Sequence, residues 1–313
     1  MSSTRFTLVP AADSALHDAS DVRFSLKDSR LFAPLFALSV ITLLVADALL
    51  HGSTEGIAEV TAVTSAFTAL YSVSWKLRHR YPRSSNSIRA FAPILMYGLI
   101  YGFIHAVMTG ARPSDAHLVD AALLRIDEWM FGVNPVVWMG AHGHPLLTDL
   151  LYLCYFSYYF GMPVLLVLMF RGNRARDFFQ VQSVMVAGWY GALLSYALFP
   201  ALGPCRWIAD ELPVLTGLLP TTQWIQAFLD ANLTPVVRDC VPSMHTAITL
   251  LTLAYARRFQ PMYFRIFLLP GIGIIIATMY TQAHYVIDVL LGVAVAAVLY
   301  GVMEKWKRSA GSV

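Results

Sequence analysis

The sequence predicts an all-α fold, a polytopic membrane helix bundle with about eight transmembrane helices. Three observations predict it. Of the 313 residues, 57% are hydrophobic and only 13% charged, where a soluble domain of this size carries about a quarter charged residues. Mean hydropathy is +0.59, and the apolar residues gather in runs of the roughly 20 positions that cross a ~30 Å hydrocarbon core. The basic residues then alternate between successive loops, as in a chain threaded back and forth across a bilayer.

Taken in order, residues 1–30 are polar and mixed in charge, unlike a cleavable signal peptide, and read as a cytoplasmic tail. The first apolar run is then expected to act as an uncleaved signal anchor. Spans are expected near residues 31–50, 57–75, 88–108, 147–170, 178–202, 244–256, 262–280 and 285–302. The second is rich in Thr, Ser and Ala and contains Glu59, so a reentrant or interfacial segment is its alternative. The sixth is short unless it continues past Arg257, whose side chain can snorkel.

Orientation follows from charge. Residues 76–89 hold five Lys or Arg and no acid; 171–176, 257–265 and 305–308 hold three each, and the N-terminal tail four. These make 18 of the 22 basic residues on one side, leaving Arg112, Arg125, Arg206 and Arg238 on the other. Both termini are therefore expected in the cytoplasm. Residues 110–145 and 203–241 stay outside, and their amphipathic runs at 116–131 and 221–233 read as interfacial helices. The net charge of +3 includes no basic cluster interleaved with aromatics, which argues against nucleic-acid binding.

Two motifs carry chemistry: Pro242-Ser243-Met244-His245, and His284-Tyr285-Val286-Ile287-Asp288. The proposed topology puts both histidines at the outer ends of spans, where ionisable groups are expensive and functional by default. Asp288 lies four residues after His284, so on a helix the two share a face. A carboxylate accepting one ring N–H fixes the tautomer and leaves the other nitrogen a better nucleophile. The bland alternative is a His–Asp contact that merely pins helices. Ser243 has two compatible readings, a helix N-cap and a phosphate ligand beside free backbone N–H groups. His142 and His144 are weak metal candidates because no external carboxylate or cysteine pattern completes a site. Tyr152 to Tyr159 read as packing, with a lipid-lining role open. Cys154 reads as a packing residue. Cys205 and Cys240, both in an outer loop, are candidates for a disulfide, a pairing that the sequence leaves open.

These motifs resemble the second and third signatures of the type 2 phosphatidic acid phosphatase superfamily. They are more similar still to its branch of inositol phosphorylceramide synthases and inositolphosphotransferase-like membrane proteins. Ile126-Asp127, Phe131-Gly132-Val133-Asn134-Pro135 and Phe199-Pro200-Ala201-Leu202-Gly203-Pro204 also match that branch. The resemblance covers roughly residues 88–302 and implies a six-helix core over 88–303. Residues 31–87 would add two N-terminal helices, and 304–313 a cytoplasmic C-terminal tail. It implies His284 as the nucleophile, Asp288 as its orienting carboxylate and His245 as the acid and base. The sequence departs from the pattern at Thr278, where an arginine is usual, and at Met244, where glycine is usual. His105 and Arg112-Pro113 partly echo the first signature, which makes Arg112 a phosphate ligand; Arg206 is the stronger cation for that role.

The implied activity is a lipid phosphotransferase or phosphatase without metal or other cofactor. It would be embedded in the cell (inner) membrane, its site facing the periplasm, exterior or lumen. Its partners would be a phospholipid donor and an acceptor that is water or a lipid alcohol such as ceramide or diacylglycerol. A transporter would instead spread ionisable residues across the midplane, whereas Asp47 and Asp149 lie near span ends. An inactive lipid-binding relative is the third reading.

Overall fold

A computed structural model describes residues 118–310 apart from 173–174 and 233–237, together with scattered positions between 62 and 101. The expected first span, most of the second and much of the third lie outside the described residues. So do Asp47, Glu59, His105, Arg112 and both chain ends. Among the described residues the chain is helical, with no β-strand and one isolated parallel bridge between Ala201 and Asp239.

Among the continuously described residues, two short helices lead, α1 (Asp120–Phe131) and α2 (Pro135–Ala141). Gly132 ends α1 in the left-handed conformation at φ 73°, and its N–H returns to Glu128 O. Asn134 then caps α2 by accepting from the N–H groups of Val136 and Val137, with Pro135 in the first turn. Among the described residues, five long helices build the bundle. They are α3 (Pro145–Arg171), α4 (Ala175–Leu198), α7 (Met244–Phe259), α8 (Pro261–Tyr280) and α9 (Val286–Ala310). A one-turn α5 (Pro204–Trp207) and the amphipathic α6 (Pro220–Asn232) lie between α4 and α7.

Helices α3, α8 and α9 are long and apolar enough to cross a membrane. Helix α7 has 16 residues, short of the roughly 20 that span. Its composition explains the difference: eleven of the 16 are buried, so α7 is the bundle's central helix. Its neighbours α3, α4, α8 and α9 all pack on it. Met162, Leu165, Met185, Leu193, Ile248 and Tyr255 join α3, α4 and α7 in the main core.

The N-terminal ends of α7 and α9 meet at one end of the bundle. Gly292 makes that approach feasible, because a Cβ there would stand 2.4 Å from the Ser243 carbonyl oxygen. The N–H of Ser243 also donates to Asp288 O at 3.1 Å. This close crossing sets the two sequence motifs side by side.

Candidate active site

The two motifs converge on a cavity of about 890 Å³ at that end of the bundle. His245 opens α7 and His284 closes the turn before α9, and both line the cavity. His245 Nδ1 and His284 Nε2 face each other at 3.2 Å. The other nitrogen of His284, Nδ1, looks inward, 3.7 Å from Asp288 Oδ2. His284 is 5% exposed and Asp288 0%. Residues 39 and 43 positions apart in the chain therefore form one line, from the cavity through two imidazoles to a buried carboxylate.

Each member is held by its own element. His284 N–H and Ala283 N–H both donate to Thr278 O at 3.0 Å, which closes the turn leaving α8. Thr278 is wholly buried and its hydroxyl donates to Ile275 O, so this position braces the turn and does not line the cavity. The His245 ring stacks on Tyr155 at 4.8 Å and leans on Tyr158 at 4.3 Å. Asp288 Oδ2 accepts from the Tyr285 N–H at 3.0 Å, across the first turn of its own helix.

A third partner of Asp288 was not anticipated. Cys240 donates its S–H to Asp288 Oδ2 at 2.7 Å, and its Sγ lies 3.6 Å from both His284 Nδ1 and Ala283 O. Burial, and then the Asp288 charge, push this thiol well above its ordinary pKa, so it is a protonated donor. The candidate disulfide is therefore corrected: Cys205 and Cys240 are both free thiols, Cys205 exposed and Cys240 buried against Asp288. The segments that the disulfide was to join are instead tied at the Ala201–Asp239 bridge, where Cys240 N–H donates to Ala201 O at 3.3 Å.

Buried carboxylates of α1 fasten these loops. Asp120 and Asp127 are seven residues apart, two helical turns, and so share one face. Asp127 accepts from the N–H groups of Val286 and Ile287 at 2.7 and 2.9 Å, capping α9 from outside its own chain segment. Asp120 accepts from Leu202 N–H, Gly203 N–H and the Tyr285 hydroxyl at 2.9, 2.9 and 3.1 Å. Burial raises both carboxyl pKa values, partly offset by these hydrogen bonds. Gly203 has φ 82°, and a Cβ there would meet Ala283 O at 2.6 Å. The Asp120 clamp thus holds a turn that only glycine fits, and the turn carries Arg206 to the cavity wall.

A prediction follows from this clamp. Asp120→Ala would orphan one buried and one part-buried N–H group and one buried hydroxyl, at a cost of about 3 kcal/mol. Thermal unfolding in nanodiscs should show a lowered midpoint. An unchanged midpoint would mean that the clamp contributes nothing.

The remaining expected residues sort as follows. Arg206 lines the cavity. Ser243 is fully buried; its hydroxyl accepts from Thr246 N–H and Oγ1 at 3.4 and 3.2 Å, so it caps α7 and does not line the cavity. His142 stacks on Trp138, and His144 caps α3 by accepting from Leu146 N–H. Tyr152, Tyr155, Tyr158 and Tyr159, spaced along one face of α3, line the cavity. Sequence reasoning missed Cys240 as a site residue, Asp120 as a clamp and Asp239 in the lining. Asp127 was visible in the motif but carried no role.

Among the described residues, one group of metal-ligating types comes together: Cys240, His284 and Asp288, with ligand atoms within 4.8 Å of one another.

A family model of the PAP2 superfamily matches residues 121–302. Neither a curated protein nor a solved structure matches the chain. The matched stretch begins in α1, one residue after Asp120, and runs through most of α9, so it takes in Asp127, most of the cavity lining and both histidine motifs. It also covers more than half of the sequence. The chain belongs to the PAP2 superfamily.

Proposed function

We propose that this protein is an integral membrane lipid phosphotransferase of the inositol phosphorylceramide synthase-like type, working through a phosphohistidine. The observation that carries the proposal is the 3.2 Å facing of His245 Nδ1 and His284 Nε2 at the wall of a large cavity, with Asp288 behind. The coarser statement, a phosphatase or phosphotransferase of lipid phosphates, rests on the superfamily itself.

In this reading His284 carries its proton on Nδ1, toward Asp288 and Cys240, which leaves the Nε2 lone pair aimed at the cavity. A donor phosphate enters between the two rings. Nε2 attacks phosphorus, the bond to the leaving alkoxide breaks, and the proton on His245 Nδ1 passes to that oxygen. In the second half His245 takes the proton of the acceptor hydroxyl, the acceptor oxygen attacks, and the P–N bond breaks. Arg206, and Arg112 outside the described residues, are assigned to the phosphoryl oxygens, where positive charge lowers the barrier. Ser243 contributes by capping α7 and holding the turn that presents His245.

A cavity of about 890 Å³ far exceeds the volume of inorganic phosphate. It leaves room for a donor headgroup beside an alcohol, which supports transfer. Water in the acceptor place makes the same site a phosphatase, and the family match supports that second reading. With 18 of 22 basic residues assigned to one side, the site lies at the outer face and both termini in the cytoplasm.

The experiment is a panel of phospholipid donors, with and without ceramide or diacylglycerol, given to the protein in nanodiscs. A new headgroup-bearing lipid that requires His284 is the expected product. Release of free phosphate alone would replace transfer with hydrolysis, and no product from any lipid would refute both.

A further inference from the structure

We propose that Cys240, His284 and Asp288 form an inhibitory binding site for a thiophilic divalent cation, with Zn²⁺ the best-fitting ion. Binding stands on geometry alone; only the word inhibitory rests on the reading of His284 as the attacking group.

Thiolate, imidazole and carboxylate are the three ligand types zinc takes from proteins. With Zn–S of about 2.3 Å and Zn–N or Zn–O of about 2.0–2.1 Å, a tetrahedral site has ligand–ligand edges of roughly 3.3–3.6 Å. Here Sγ to Nδ1 is 3.6 Å, within that range, and Nδ1 to Oδ2 at 3.7 Å is only slightly longer. The third, Sγ to Oδ2, is a 2.7 Å hydrogen bond. It would open by about 0.9 Å as the metal replaces the shared proton. No other atoms need to move far.

A second observation points to the same place. Asp288 is 0% exposed, and its Oδ1 is a buried oxygen with no hydrogen-bond partner. Buried carboxylate oxygens of that kind are rare and unfavourable. A divalent cation on Asp288 would neutralise a charge that one thiol, one backbone N–H and His284 Nδ1 at 3.7 Å, all on Oδ2, only partly satisfy. The route is open as well, since Cys240 and His284 both line the cavity. The fourth coordination position falls to water or a phosphate oxygen from that side.

The chemistry balances. The thiol proton leaves to solvent, an S–Zn bond forms, and Asp288 Oδ2 and His284 Nδ1 each donate a lone pair to the ion. A neutral imidazole that binds metal through Nδ1 must carry its proton on Nε2. The lone pair that faces the cavity is then gone. The metal therefore silences the attacking nitrogen without filling the cavity.

The test uses the full-length protein in nanodiscs after chelator treatment, with Co²⁺ as spectroscopic probe and Zn²⁺ as competitor. One cobalt per chain is expected, with a thiolate-to-cobalt charge-transfer band and the strong visible bands of a tetrahedral ion. Cys205→Ser should keep both. Cys240→Ser and Cys240→Ala should lose the charge-transfer band and weaken binding at least about tenfold; helicity by circular dichroism checks that both variants fold. Zn²⁺ should also slow acylation of His284 by diethylpyrocarbonate, read by mass spectrometry, at least about tenfold in the wild type. No charge-transfer band in the wild type, an unchanged band in both Cys240 variants, or unprotected His284 in the zinc-loaded protein would overturn the proposal. Lipid turnover is scored separately: a protein that binds cobalt as described yet processes no lipid would refute the phosphotransfer reading and keep the metal site.

Discussion

Replacing His284 with alanine is expected to remove lipid turnover by roughly 10⁴–10⁶-fold, the scale of losing a nucleophile. The covalent intermediate should go with it. When wild-type protein is mixed with donor labelled in the phosphate and quenched in base, the label should stay on the protein, because a phosphoramidate survives alkali and falls off in acid. His284→Ala should carry none. Asp288→Asn should keep part of both signals. An amide cannot accept the Nδ1 proton as a carboxylate does, but the ring stays pinned by its backbone bond to Thr278 O. The order matters more than any single value. Equal turnover in wild type, His284→Ala and Asp288→Asn would end the mechanism, and label on another residue would move the nucleophile.

Much of the bundle was legible in sequence because hydropathy is read locally. The runs at 147–170, 178–202, 244–256 and 262–280 became α3, α4, α7 and α8 with ends displaced by at most four residues. The run at 285–302 became α9, which continues to Ala310. The largest inward shift is α4, which stops at Leu198 where 202 was expected. Pro200 disfavours helix at the residue before it, and Ala201 is drawn into the bridge with Asp239. The run at 116–131 shortened to Asp120–Phe131, while α2 went unforeseen because seven residues carry too little periodicity to read.

The site divides in the same way. The convergence of His245, His284 and Asp288 follows from topology and from i, i+4 spacing, both of which sequence carries. Distances between segments do not. Cys240 lies 48 residues from Asp288, and Asp120 lies 165 from Tyr285. Nothing in local pattern reveals that these groups meet. The disulfide candidate failed for this reason: a shared outer loop put Cys205 and Cys240 near each other in outline, but burial against Asp288 turned one thiol away. The α3 tyrosines are an intermediate case: the sequence left both packing and a lining role open, and all four line the cavity.

His245→Ala is the prediction that separates a proton donor from a mere prop. Its ring is held between Tyr155 and Tyr158, with Nδ1 3.2 Å from His284 Nε2. With a lipid alkoxide as leaving group, removal of the acid should lower turnover about 10²–10⁴-fold. A nitrophenyl phosphodiester needs no proton on departure, so its first step should be nearly spared. The second step still lacks a base to take the acceptor proton. His245→Ala should therefore release a burst of nitrophenolate equal to one per site, then stall with phosphate held on His284. If His245 only packed the cavity wall, both substrates would slow by one factor and no burst would accumulate. Restoration of steady turnover by added imidazole would tie the lost function to proton transfer, because a small base can replace a proton carrier but not a missing brace.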